Sequence, residues 1–118
     1  MKILIIGGSG LISTAITRQL LARGDAVTLY NRGRTPLRLA GAVPTIPGDR
    51  TDFAVFEAQM AAADRFDCVL DMVCYRSAEA ESAVRAFAGR TGHYIFCSTV
   101  DVYTKPAAAY PIREDAER

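Results

Sequence analysis

The stretch ILIIGGSGLIS, residues 3–13, constrains this chain more than any other. Four apolar residues give way to three glycines and a serine, and the apolar rhythm then resumes at a new period. The run KILII, residues 2–6, is short, β-rich and almost wholly apolar, which suits a strand buried on both faces of a parallel sheet. Across residues 10–23, Leu11, Ile12, Ala15, Ile16, Leu20 and Leu21 recur at helical spacing and predict the inner side of a helix. Arg23 and Gly24 mark its end.

The same alternation continues along the chain. AVTLY, residues 26–30, reads as a second strand. Residues 32–44 carry Gly33, Pro36, Gly41 and Pro44 and read as loop. A short third strand is expected over Val43–Ile46, weakened by the flanking prolines. Asp52 is placed to cap a helix over residues 53–63, with Phe53, Phe56 and Met60 inward. DCVLDMV, residues 67–73, reads as a fourth strand. Ser77 is placed to cap a third helix, with Glu79 and Glu81 in its first turn, Ala80, Ala83, Val84 and Phe87 as its apolar side, and Gly89 at its end. HYIFC, residues 93–97, is the fifth strand. Strands alternating with helices predict an α/β fold, a doubly wound (Rossmann-like) parallel sheet of about five strands in the order 3-2-1-4-5. Residues 1–118 read as one domain, with residues 104–118 as an irregular tail.

In such a fold the first strand-to-helix turn receives a pyrophosphate. One glycine permits the tight turn, another lets backbone approach phosphate oxygens, and a third small residue lets helix pack on sheet. The helix N-terminus adds free N–H donors and partial positive charge. Gly8-Ser9-Gly10-Leu11-Ile12-Ser13 fits G-x-G-x-x-(small), and Gly7, Gly10 and Ser13 fit the alternative three-residue spacing. Ser13 needs only to be small, and its hydroxyl can bond a helix carbonyl or a phosphate. The acid that reads the 2′-hydroxyl of NAD is expected at the end of the second strand, where this chain has Asn31. Arg32 and Arg34 follow, and guanidinium groups bind a phosphate bidentately. NADP is therefore the expected cofactor, with NAD as the alternative.

Charge and composition exclude other classes. Net charge is +1, from 14 basic and 13 acidic residues, which gives no general pull toward nucleic acid or anionic membrane. Arg32, Arg34 and Arg38 form a local basic cluster. No apolar stretch approaches bilayer-spanning length, and Met1-Lys2-Ile3 enters a strand directly, so no signal peptide is expected. Cys68, Cys74 and Cys97 lack metal-ligand spacing and sit in or beside apolar runs, so buried free thiols, no metal site and a cytoplasmic location are expected. His93 reads as structural. A flavodoxin-like or response-regulator-like domain shares the alternation, with Asp49 and Asp71 as tempting phospho-acceptors, but the glycine turn stands where a response regulator carries acids.

IIGGSGLIS, YNRGRTP, GDRTD, DCVLDMVCY and YIFCSTVDVY occur in the order found in extended and atypical short-chain dehydrogenase/reductases, the NAD-dependent epimerase/dehydratase-like proteins. The chain resembles that family over nearly all its length. The NRGR and GDR pieces look most like the atypical branch, which includes chloroplast stem-loop RNA-binding proteins. The resemblance implies that Gly7, Gly8, Ser9, Gly10, Leu11 and Ile12 form the phosphate turn. It implies that Asn31, Arg32 and Arg34 read the ribose, and that Asp49, with Arg50 beside it, accepts from the adenine amino group. Met72, Val73 and Cys74 would pack along the cofactor, and Thr99 or Ser98 would be the catalytic hydroxyl.

The family's general acid/base is a tyrosine followed four residues later by a lysine, which lowers the phenol pKa. Here Tyr30 is followed at that offset by Arg34, Tyr75 by Glu79, Tyr94 by Ser98, Tyr103 by Ala107 and Tyr110 by Glu114. The motif is expected beyond residue 118, so the chain looks like a cofactor-binding part truncated before the substrate domain. The expected function is the NAD(P)-binding portion of an epimerase, dehydratase or oxidoreductase, inactive alone, whose intact form takes a small-molecule substrate such as a nucleotide sugar. The alternative is a non-catalytic nucleotide-binding regulator or RNA-associated protein. An unpaired apolar edge at the fifth strand is expected to favour homo-oligomers.

Overall fold

The computed structural model describes residues 1–34, 42–103 and 111–118. Its strands are β1 (Lys2–Ile6), β2 (Ala26–Asn31), β3 (Thr45–Pro47), β4 (Phe66–Asp71) and β5 (Thr91–Phe96). They form one sheet in the order β3-β2-β1-β4-β5, parallel at every pairing, which is the order the alternation predicts. The helices are α1 (Leu11–Ala22), α2 (Phe53–Ala62) and α3 (Ser77–Phe87), with a short 3-10 turn at Val100–Val102. Arg38 and the segments 35–41 and 104–110 lie outside the described residues. No described helix is long and apolar enough to cross a membrane.

β1 is paired on both sides, and its residues alternate between two cores. Leu4 and Ile6 join Tyr30, Phe56, Met60, Val69, Ala83 and Phe87 under α2 and α3. Ile3 and Ile5 join Val27, Leu29, Val43 and Cys68, with Ile16 and Leu20 of α1 against them. The continuous apolar run thus reflects helices on both faces. On the α2–α3 face Tyr30 meets Phe56, Phe56 meets Phe87 and Phe87 meets Tyr94, with ring centroids 5.2, 6.0 and 5.8 Å apart.

Several local expectations shift. The inner side of α1 is Ser13, Ile16, Thr17 and Leu20, while Leu11 and Ile12 are exposed at the mouth of the turn. Small hydroxylated residues let the helix lie close to the sheet, and the Thr17 hydroxyl is satisfied by the Ser13 carbonyl at 2.8 Å. β3 begins at Thr45 rather than Val43, and Pro47 is tolerated because this is an edge strand. β4 ends at Asp71 and β5 at Phe96, each earlier than predicted. The N-cap of α3 is Arg76, not Ser77. Ala80 and Val84 face outward, while Ser82, Ala83, Ala86 and Phe87 are buried. Cys68 and Cys74 are buried free thiols, but Cys97 is exposed past the end of β5.

Candidate functional site

The glycine turn is built by left-handed backbone. Gly7 has φ +108° and Gly8 φ +89°, a region that side chains rarely adopt. A Cβ at Gly8 would stand 2.8 Å from Leu29 Cδ2, and one at Gly7 3.2 Å from Val73 Cγ1. Gly10 is the N-cap of α1, and Ser13 Oγ accepts its N–H at 3.0 Å and donates to its carbonyl at 3.2 Å. Ser13 therefore caps its own helix from within the first turn, which a glycine there could not do. The N–H groups of Leu11 and Ile12 belong to that first turn, where no helical carbonyl precedes them.

The turn opens into a cleft of about 350 Å³ at the C-terminal edge of the sheet. Ile6, Gly7, Ser9 and Val73 line it together with Asn31, Arg32, Gly33 and Arg34. Asn31 Oδ1 accepts the Gly33 N–H at 2.8 Å, closing a tight turn that presents the exposed Arg32 and Arg34. The Asn31 carbonyl accepts the Gly48 N–H at 2.9 Å and brings the next loop alongside. Gly48 packs where a Cβ would collide with the Tyr30 hydroxyl and fall 2.6 Å from Gln59 Oε1. Asp49 Oδ1 accepts the Thr51 hydroxyl at 2.6 Å and the Thr51 N–H at 2.9 Å. Those bonds, aided by the charges of Arg32 and Arg34, hold its carboxyl below the usual carboxylate range.

Beneath the cleft lies a buried charge network. Arg50, 6% exposed, pairs with the fully buried Asp71 and donates from Nη2 to the Glu79 carbonyl at 2.8 Å. Its guanidinium also lies 5.6 Å from the Phe56 ring centroid. Asp71 further accepts from the Tyr94 hydroxyl and, at 3.1 Å, from the Val73 N–H. Burial, and then the bond to Asp71, push the Tyr94 phenol far above its ordinary pKa and keep it a neutral donor. Glu79 Oε2 accepts the N–H groups of Tyr75 and Arg76 at 2.6 and 3.0 Å. That reciprocal cap explains why α3 begins at Ser77, one residue earlier than a Ser77 cap would have it.

The structure brings Gly7, Ser9, Asn31, Arg32, Arg34, Asp49, Arg50 and Val73 to one cleft. Gly8 is buried behind it, and Gly10, Leu11 and Ile12 open α1 at its mouth. Met72 packs on the α1 side of the sheet. Cys74 lines a separate apolar groove between α3 and β5, with Ala80, Val84 and Phe96. Ser98 and Thr99 lie exposed past β5 and do not line the cleft; Thr99 Oγ1 accepts the Asp101 N–H at 3.2 Å. Sequence reasoning missed Tyr30, Thr51, Tyr75 and Glu79 as lining residues. Only Glu79 carried a signal, as an acid three residues into a helix.

The donor set suits an anionic dinucleotide: first-turn N–H groups, two exposed guanidiniums and a side-chain amide meet in one cleft. Arg50 Nε, buried and without a hydrogen-bond partner among the described residues, is a further donor beside it. The fold is a doubly wound parallel sheet of the kind seen in solved UDP-glucose 4-epimerases and an NAD-dependent NDP-hexosamine 5,6-dehydratase. No family model matches the chain. It is 30% identical to the chloroplast stem-loop binding protein of 41 kDa b of Arabidopsis thaliana, over 98% of this chain and 33% of that protein. It is also 30% identical to the 2'-dehydrokanamycin reductase of Streptomyces kanamyceticus, over 97% of this chain and 32% of that enzyme. The chain thus spans about a third of the length of these curated relatives. Among solved structures, the Bordetella bronchiseptica enzyme WbmG in complex with NAD matches with a TM-score of 0.80 and 18% identity, over 99% of this chain and 43% of that one. The UDP-Glc/GlcNAc 4-epimerase of Campylobacter jejuni matches with a TM-score of 0.82 and 18% identity, over 98% and 42%.

Proposed function

We propose that residues 1–118 are the NAD(P)-binding domain of a short-chain dehydrogenase/reductase-type epimerase, dehydratase or oxidoreductase. One observation carries the reading: the Gly7–Ser13 turn, the Asn31–Arg34 turn and Asp49 converge on a single cleft at the C-terminal edge of a parallel sheet. The bound dinucleotide supplies hydride transfer. The chain's own residues bind and orient it. The first turn of α1 takes the pyrophosphate, with Ser9 at the turn's tip and Leu11 and Ile12 supplying N–H donors. Arg32 and Arg34 take a ribose 2′-phosphate, which makes NADP the preferred form. Asp49 accepts from the adenine amino group, and Met72 and Val73 pack along the cofactor. Cys74, beside the Arg50–Asp71 pair, completes that stretch. Ser98 or Thr99 holds the substrate oxygen in the whole protein. The solved structures sharing the fold include two holding both NAD and UDP, which motivates a nucleotide sugar as substrate. We place the protein in the cytoplasm, in keeping with its free thiols.

Calorimetric titration with NADPH and NADH tests the reading. NADPH is expected to bind more tightly, and Arg32→Ala to erase most of that difference while leaving NADH binding within about twofold, since only the 2′-phosphate contact is lost. Binding of neither at millimolar concentration would overturn it. The likeness to a stem-loop binding protein favours a second reading, an RNA-associated nucleotide-binding module. A mobility shift with stem-loop RNA that survives saturating NADPH and disappears with rising salt is its signature.

A further inference from the structure

We infer that Tyr75 is the aromatic wall on which the adenine base of the ligand stacks, and that Glu79 positions it. The inference rests on the dinucleotide reading and assigns a residue that neither the glycine motif nor the family resemblance singles out. Tyr75 lines the cleft yet is 80% exposed, so its ring finds little of its own protein to pack against. Its backbone is nevertheless held. The carboxylate of Glu79, 5% exposed, takes the Tyr75 and Arg76 N–H groups on one oxygen, and the Glu79 carbonyl is tied to buried Arg50. An exposed ring on a pinned backbone is a preorganised surface, which loses little entropy when a planar partner arrives.

Charge decides which part of the ligand meets it. The cationic side of the cleft is Arg32 and Arg34, which draw phosphate. Asp49, within reach of their charge, lines the same cleft with Thr51, Tyr75 and Glu79. Asp49 is held ionised by Thr51 and repels phosphate. The part of the cleft around Asp49 and Tyr75 therefore takes the uncharged, flat, donor-bearing part of the ligand. Adenine meets all three conditions: its amino group donates to Asp49, and its face lies on the Tyr75 ring.

The test uses calorimetry on the 118-residue chain with three probes: adenosine 2′,5′-bisphosphate, nicotinamide mononucleotide and inorganic pyrophosphate. Tyr75→Ala is expected to weaken adenosine 2′,5′-bisphosphate binding about tenfold or more, the usual loss when a stacking ring is removed. It should leave the other two probes within about twofold, and Tyr75→Phe should behave as the parent. Glu79→Gln should weaken the bisphosphate by less than Tyr75→Ala, with Tyr75→Ala,Glu79→Gln no weaker than Tyr75→Ala alone. Equal bisphosphate binding by the parent and Tyr75→Ala would overturn the stacking role and leave the dinucleotide reading standing. Equal weakening of all three probes would also overturn it, as a general loop disturbance. A parent chain that binds none of them would overturn both.

Discussion

Ser13 lies 4% exposed where α1 meets the sheet, and its hydroxyl satisfies the N–H and carbonyl of Gly10. Ser13→Ala keeps the packing and removes those bonds, so urea unfolding should show a loss of about 1 kcal/mol. Asp71 is a sharper case. Fully buried, it answers the charge of Arg50, and Asp71→Ala strands a buried guanidinium. That variant should lose about 3–5 kcal/mol in the same measurement. The two residues differ in how openly the sequence declares them. The need for a small residue at position 13 follows from spacing alone. The Arg50–Asp71 pair does not, because an arginine after Gly48-Asp49 looks like a surface residue until a strand 21 positions later is folded beside it. Long-range burial of a charge leaves no local pattern: Arg50 lines the cleft, as a ligand contact would, while its guanidinium also pairs with Asp71.

At the scale of elements, α2 and α3 are joined by Glu57. Its Oε1 accepts the Ser82 hydroxyl at 2.8 Å and Arg85 Nη2 at 2.9 Å. Arg85 first, and then Ser82, lower the Glu57 pKa below its ordinary value of 4.5. A carboxyl whose pKa is depressed on folding contributes stability above its unfolded pKa and loses it as pH falls through the folded value. The stability difference between the parent and Glu57→Gln should therefore be constant above about pH 5 and shrink below the unfolded pKa, read from urea midpoints taken from pH 7 to pH 3. A difference that stayed flat to pH 3 would remove Glu57 from that role. Element existence was legible because short continuous apolar runs give way to a 3.6-residue period at the glycine and polar breaks. The inward face of α1 was not. Periodicity assigns the apolar side inward, but Leu11 and Ile12 sit at the turn's mouth, and close packing selected Ser13 and Thr17 instead. The start of α3 differs for another reason: Glu79 Oε2 reaches back to the Tyr75 and Arg76 N–H groups while the Arg76 carbonyl accepts from Glu79 and Ala80, so the helix opens at Ser77.

At the scale of the whole molecule, strand order followed from handedness once the alternation was read, and it set the glycine turn beside the Asn31 and Asp49 loops without any contact being known. What order alone leaves open is the outer edge. β5 pairs with β4 on one side and, among the described residues, with no strand on the other. Ile95 is 43% exposed, Phe96 50% and, on the neighbouring α3, Val84 65%. Phe96 and Val84 line the apolar groove beside Cys74, while Ile95, opposite Leu70, lies on the α1 side of the sheet. An edge that offers unpaired backbone groups between two apolar patches favours pairing with another chain. In sedimentation velocity the 118-residue chain should show a weight-average mass that rises with concentration. Ile95→Lys sets a charge beside that edge and Val84→Glu sets one in the groove, so each should lower the association, and the pair together should lower it further. Both positions are already exposed, so neither variant removes core packing. A constant monomer mass across the concentration series would show that the edge is self-limiting, with the twist of β5 or the neighbouring charges sufficient to keep a second sheet away.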